Sequence, residues 1–130
     1  MNDPINHPGH YTDSHPGMEC IQLTETLSFC LGNTVKYVWR HHDKDNPLAD
    51  LEKAAWYLDH ALDRHEPAPR WTSQQDLILN QLEQEALDDD RHKEAEFWHS
   101  IRERRLVKAS AALAGMIHAI QDDTIQEDLQ

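Results

Sequence analysis

The residues best equipped for chemistry lie in two stretches of the N-terminal half. In His7-Pro8-Gly9-His10-Tyr11 two histidines flank a rigid turn, because Pro8 fixes its own φ and Gly9 lets the backbone approach a ligand closely. Imidazoles in such a loop can donate to phosphate oxygens, shuttle protons or bind a metal; they can equally pin the N-terminus to the body of the protein. Further on, Lys36, Arg40 and Lys44 fall four apart and would stack on one face of a helix. Tyr37 and Trp39 lie among them, and His41 and His42 follow. Aromatic faces beside cations suit stacking of a nucleobase with neutralisation of its phosphate. Lys53 and Tyr57, on the next helix, are spaced to face the same cleft. A solvated charged face shows the same spacing, so the pattern defines a candidate anion site and no more.

The ladder is a local exception in an acidic chain. The formal net charge is −12, with −5 in residues 1–65 and −7 in residues 66–130, so the acidity is spread rather than held in a tail. Such a balance argues against broad binding to duplex nucleic acid, which needs a large basic surface, but leaves room for a small phosphate pocket. The two cysteines, Cys20 and Cys30, are too few for a disulfide scaffold and form no C-x-x-C pair. They read as buried free thiols, as expected of a protein kept in a reducing cytoplasm. No apolar run approaches the length of a membrane span, and Met-Asn-Asp-Pro does not open a signal peptide. A cytoplasmic protein is expected.

The elements that must position these residues are helices. Residues 1–17 hold Pro4, Pro8, Gly9, Pro16 and Gly17, and read as an ordered loop. Met18 to Phe29 suits a short first helix, although Ile21-Gln22-Leu23-Thr24 also alternates like a strand. Gly32-Asn33 reads as a helix stop and N-cap, with a second helix from about Asn33 to Asp43 whose apolar face is Val35, Val38, Trp39 and His42. The clearest helix runs from Leu48 to about Arg64, with Leu48, Leu51, Ala54, Ala55, Leu58 and Leu62 at helical spacing. Glu66-Pro67-Ala68-Pro69 is a stiff linker.

A fourth helix starts near Thr72 or Ser73, with Leu77, Ile78, Leu82 and Leu87 as its apolar face. Asp88-Asp89-Asp90 reads as a short break or a helix start. A continuous helical pattern follows to Ile120, weakened slightly at Gly115, and residues 122–130 are expected to fray. The expectation is an all-α protein, a small bundle of four to six helices with an ordered N-terminal Pro/Gly/His loop. Its parts are a motif region over 1–65, a linker over 66–71, and a helical extension over 72–130 packed on the first part as one domain.

Several chemistries lack their signatures. There is no G-x-x-x-x-G-K followed by Ser or Thr, no dinucleotide fingerprint and no G-x-S-x-G, and the chain has only four glycines. No H-E-x-x-H occurs among the ten histidines and no Cys/His cluster has zinc spacing, so no metal ligands are assigned. Magnesium held by helical carboxylates such as Asp59 and Asp63, four apart, is the only cofactor the sequence suggests.

Four ordered blocks carry a family resemblance: Asp3-Pro4-Ile5-Asn6-His7-Pro8-Gly9-His10-Tyr11, Glu19-Cys20-Ile21, Leu31-Gly32-Asn33-x-Val35-Lys36-Tyr37-x-x-Arg40, and Asp50-Leu51-Glu52-Lys53-Ala54-x-Trp56-Tyr57-Leu58. Over roughly residues 3–63 the chain resembles a small phage-encoded nucleotide kinase-like family. The resemblance implies a phage or prophage origin, a nucleotide-handling role, and, in its most concrete form, a transferase that phosphorylates a nucleoside monophosphate without a P-loop. It carries over His7, His10, Tyr11, Asn33, Lys36, Tyr37, Arg40, Lys53 and Tyr57. In that reading His10, Lys36 and Arg40 are catalytic, with His10 as acid–base. Lys36, Arg40 and Lys44 neutralise phosphates, Tyr37 or Trp39 stacks on the base, and His7, Tyr11, Asn33, Lys53 and Tyr57 also bind substrate. The stretch Trp39-Arg40-His41-His42-Asp43-Lys44 departs from the small or glycine-containing run of many relatives, which would alter the ligand accepted.

Two other classes compete. An acidic helical phage protein can bind a host protein or sequester a nucleotide, with Asp88-Asp89-Asp90 in its partner surface. A magnesium-dependent, all-α nucleoside triphosphate pyrophosphohydrolase would need paired E-x-x-E and E-x-x-D motifs, which are not found cleanly here. A homo-oligomer is expected, and Trp71, Phe97 and Trp98, if exposed, would favour self-association.

Overall fold

A computed structural model describes residues 19–43 and 45–129; His7, His10, Tyr11, Lys44 and the N-terminal loop lie outside them. The described residues form six α-helices and a single 3-10 turn, with no strand among them, which is the expected small all-α helical fold. The helices are α1 Cys20–Thr24, α2 Phe29–Arg40, α3 Pro47–Asp63, α4 Ser73–Asp88, α5 His92–Arg102 and α6 Leu106–Leu129; the 3-10 turn is His41–Asp43. The chain divides into two compact units, Met1–Ala61 and Leu62–Gln130.

In the first unit, Ile21-Gln22-Leu23-Thr24 is helical rather than extended, and Gln22 Oε1 accepts from Glu19 N–H at 2.9 Å to hold the start of α1. The second helix begins four residues earlier than its glycine suggests. Ser28 is the N-cap, its hydroxyl accepting from Leu31 N–H at 3.2 Å, so Gly32 and Asn33 are interior. Asn33 is tolerated there because its amide donates back to the Phe29 carbonyl at 2.8 Å. The helix also stops sooner, at Arg40, before the 3-10 turn. Leu31, Val35, Val38 and Trp39 are buried, each stabilising by roughly 1.5–3 kcal/mol. His41 is buried and His42 exposed, the reverse of the helical extrapolation, because the tighter 3-10 turn re-phases the chain. Helix α3 matches its expected span; Asn46 caps it by accepting from Ala49 N–H at 3.0 Å, and Leu51, Ala54, Leu58 and Ala61 are buried.

In the second unit α4, α5 and α6 pack in sequence as antiparallel neighbours. Helix α4 starts with a capping box: Thr72 Oγ1 accepts from Gln75 N–H at 3.1 Å, and Gln75 Oε1 accepts from Thr72 N–H at 3.0 Å. Its inner face is Ile78, Leu79, Leu82 and Ala86, while Leu77 and Leu87 are exposed, so the apolar stripe lies one residue away from the one expected. The run from Asp90 to Ile120 is not one helix. It breaks at Glu103-Arg104-Arg105, where Arg104 takes φ 64° and Arg105 N–H reaches the Ser100 carbonyl at 2.8 Å. Asp90 does the same after α4, with φ 59° and Arg91 N–H to the Ala86 carbonyl at 2.8 Å. Both are left-handed helix endings made without glycine. Helix α6 then continues to Leu129 instead of fraying at 122, with every side chain from Gln121 to Leu129 exposed.

Phe97 and Trp98 are buried, and Trp71 is half-buried with its indole N–H donating to the Ile101 carbonyl at 3.1 Å. The condition attached to self-association is therefore not met. Cys20 and Cys30 are buried free thiols, as expected. No described helix is long and apolar enough to cross a membrane.

Candidate functional site

The candidate residues within the described part converge on the Tyr37 ring. Phe29, Lys36, Tyr37 and Arg40 recur along one stripe of α2, and Lys53, Trp56 and Tyr57 come from α3. The Tyr37 and Tyr57 rings are near-parallel, 6.0 Å between centroids and 11° between planes. Phe29 meets Tyr57 edge-on at 5.7 Å, and Trp56 meets it edge-on at 5.1 Å. Three cations surround the Tyr37 ring: Lys36 Nζ at 4.4 Å, Arg40 Cζ at 4.9 Å and Lys53 Nζ at 5.5 Å from its centroid. All lie within the range of cation–π attraction. Outward from Tyr57, Trp56 stacks on His60 at 5.3 Å and 6°. Trp56 is 61% exposed and Phe29 74%, so this aromatic row reaches solvent.

Arg40 is placed differently from the other two cations. Its Nε and Nη2 donate to Asp50 Oδ2 and Oδ1 at 3.4 and 3.3 Å, and Asp50 is buried in the first turn of α3. The guanidinium is thus already paired with a carboxylate from the neighbouring helix, whereas Lys36 and Lys53 form no ion pair among the described residues. The charge available to an incoming anion is that of the two lysines. Asn33 sits on the same stripe of α2 but spends its amide on the Phe29 carbonyl.

Trp39 is fully buried and cannot stack on a ligand as expected, whereas Tyr37 and Tyr57 are half-buried and Trp56 is exposed. His7, His10, Tyr11 and Lys44 lie outside the described residues.

Residues 5–59 match the model of a family described as a protein of unknown function, DUF3310. The matched span holds every member of the cluster from Phe29 to Tyr57 and stops one residue short of His60. No curated protein and no solved structure matches the chain.

Sequence reasoning missed four residues of the cluster: Phe29, Asp50, Trp56 and His60. Trp56 lies on the exposed face of α3, where the apolar pattern gives it no role, although an exposed tryptophan beside a lysine is itself a signal. Asp50 carries no local signal beyond lying directly before the buried Leu51, because its pairing with Arg40 depends on how the two helices meet.

The arrangement can do one thing well. Aromatic faces with two adjacent ammonium groups recognise a flat, negatively charged molecule by stacking and charge neutralisation. Among the described residues of the cluster the sole carboxylate is the Arg40-bound Asp50, and the sole imidazole is that of His60, stacked on Trp56.

Proposed function

We propose that the N-terminal unit binds a nucleotide, with Lys36 and Lys53 neutralising its phosphate and the Tyr37, Tyr57 and Trp56 rings holding its base. The observation that carries this reading is the ring of cations about Tyr37, at 4.4, 4.9 and 5.5 Å, on a chain of net charge −12. In an acidic protein, cations gathered on aromatic faces concentrate the field where an anion with a π-face would sit. Phosphorylation of a nucleoside monophosphate with magnesium, and the phage origin that the sequence resemblance implies, extend this proposal and rest on the resemblance.

The test is titration of deoxynucleoside mono- and triphosphates, with and without magnesium, followed by tryptophan fluorescence and by melting temperature. Binding to the native state raises the melting temperature as RT ln(1 + [L]/Kd). Lys36→Ala and Lys53→Ala are expected to weaken binding about tenfold each and to flatten its salt dependence. Unchanged affinity in the double variant would reject the site. A protein partner is the second reading, favoured by the exposure of Phe29 and Trp56 on the same face. It predicts that Phe29→Ser abolishes capture of the partner while nucleotides leave the melting temperature unmoved.

A further inference from the structure

One face of α6 is left uncovered in the second unit, yet it is patterned. Leu106, Ala109, Ala112, Leu113 and Met116 of this helix are buried. Val107, Ala111, Ala114, His118, Gln121 and Ile125 are exposed, and they follow one another at alternating steps of four and three. At about 100° per residue they all fall within about 40° of Val107, on the side of the helix roughly opposite the buried residues. Val107 is 73% exposed and Ile125 56%, and about five helical turns bring the two onto one line. Leu129, also exposed, continues that line into the last turn. A four–three repeat is the seam along which two helices pair.

The charges along α6 identify what covers the seam. Arg104, Arg105 and Lys108 stand at its start, and Asp122, Asp123, Glu127 and Asp128 at its end. The helix dipole favours the reverse, acidic groups at the N-terminus and basic ones at the C-terminus. No acidic side chain lies in the first turn and no basic one in the last. A second α6 laid antiparallel on the seam would bring a basic end to each acidic end and offset the mismatch at both. The pattern also sets the register. With a two-fold axis level with Met116, Val107 lies opposite Ile125 of the second copy, Ala111 opposite Gln121, and Ala114 opposite His118. Lys108 and Asp122 share one flank of the seam, so each faces the other's counterpart in two reciprocal pairs. They cannot pair within one chain, because the helix between them holds them about 21 Å apart. Ala111 and Ala114 let the two backbones approach to about 8 Å, the short end of the range for packed helices.

We propose that α6 pairs with α6 of a second copy of this chain, antiparallel and across a two-fold axis. The surface is self-complementary, as such an interface requires. It is independent of the nucleotide reading, which concerns the other unit. The seam runs along about 36 Å of helix, and His118 and Gln121 make two of its layers polar. The interface is therefore small, and the dimer a weak one with Kd of about 10–100 μM.

The test is sedimentation equilibrium of the full chain from about 1 μM to about 1 mM, in about 0.15 M salt to screen the net charge. A monomer–dimer equilibrium is expected. Val107→Asp and Ile125→Asp should each weaken it by about tenfold or more, since each places a carboxylate in the seam. Lys108→Glu and Asp122→Lys should each weaken it by about three- to tenfold, and the two together should restore the wild-type dimer, because the reversed pair re-forms across the axis. Leu77→Asp, at an exposed position of α4, should change nothing. All these side chains are exposed, so far-UV circular dichroism should show the same helix content in every variant. A monomer at every concentration would overturn the proposal, as would a dimer undiminished in Val107→Asp and Ile125→Asp. Failure of the double charge reversal to recover the dimer would overturn the antiparallel pairing.

Discussion

Removing the Arg40 side chain should unfold the first unit more readily while leaving Lys36 and Lys53 in place. The reason is the position of Asp50. Its side chain is 5% exposed and that of Arg40 is 19% exposed, so the two charges form a largely buried pair between α2 and α3. Stripping the cation from a buried carboxylate costs about 3–5 kcal/mol when the pair is fully enclosed. Two features reduce that figure here. The contacts of 3.3 and 3.4 Å are longer than a good charge-assisted hydrogen bond. Asp50 also sits in the first turn of α3, where the helix dipole continues to favour its charge by roughly 0.3–1 kcal/mol.

We therefore expect Arg40→Ala to cost about 2–3 kcal/mol, and the melting temperature to fall by roughly 10 °C. Asp50→Ala should cost less, about 1 kcal/mol, because the half-buried guanidinium it leaves behind can turn toward water. The double replacement Arg40→Met with Asp50→Leu should recover most of the loss. Urea unfolding followed by far-UV circular dichroism measures all three, and the Arg40→Ala, Asp50→Ala double-mutant cycle isolates the pair. A loss below about 0.5 kcal/mol for Arg40→Ala, or a coupling near zero, would refute the argument that Asp50 depends on Arg40. It would also return Arg40 to the list of cations free to meet a phosphate.

Other substitutions test the packing and the charges. Gly115→Ala in the middle of α6 should stabilise by up to about 1 kcal/mol from helix propensity, because the atom a new Cβ would meet, at 3.0 Å, is Cδ of the exposed and flexible Lys93; a loss of stability in urea would show that Lys93 cannot yield. Asp90→Gly should stabilise by about 0.5–1 kcal/mol by relieving the left-handed backbone at φ 59°, read from the urea midpoint. Asp76 accepts from Arg102 at 2.8 and 3.1 Å, and this hydrogen bonding holds its carboxyl below the usual range. Its contribution is present above the ordinary carboxylate pKa of about 3.9 and is lost as pH falls through the lower folded value. Asp76→Asn should flatten the acid limb of the stability profile below about pH 4, and an unchanged limb would remove Asp76 from the account. Burial pushes the Cys20 thiol up to about 12, so it should resist thiol reagents at pH 8 in the native protein and react on unfolding; rapid labelling of the native protein would contradict that.

The parts of the fold that could be read from sequence are those with local, self-contained signals. Thr72 and Gln75 announce α4 because a capping box needs only the two side chains themselves. Helix α3 shows its buried face through Leu51, Ala54 and Leu58. The start of α2 was misplaced because Gly32-Asn33 is the stronger local signal, yet Ser28 upstream has the capping hydroxyl and Asn33 satisfies itself within the helix. The break after α5 was invisible because Arg104 adopts a left-handed backbone that sequence rules reserve for glycine or asparagine. The convergence of Lys36, Tyr37, Lys53 and Tyr57 was legible from their spacing. The capture of Arg40 by Asp50 was not, since it depends on how two helices meet. The pairing of His99 with Glu83 was hidden for the same reason, being a contact across sixteen positions.

The two glycine-free helix endings have a consequence for how the second unit assembles. Each joins adjacent helices through only a few residues, so α4 meets α5, and α5 meets α6, with little chain to close between them. Interfaces made between immediate neighbours in sequence carry a small loop-closure cost and a low contact order. Folding of this unit is therefore expected in the microsecond-to-millisecond range typical of helical domains. Arg104 and Asp90 stand at the points where the growing hairpins reverse, so slow refolding in their β-branched variants would report on turn formation itself.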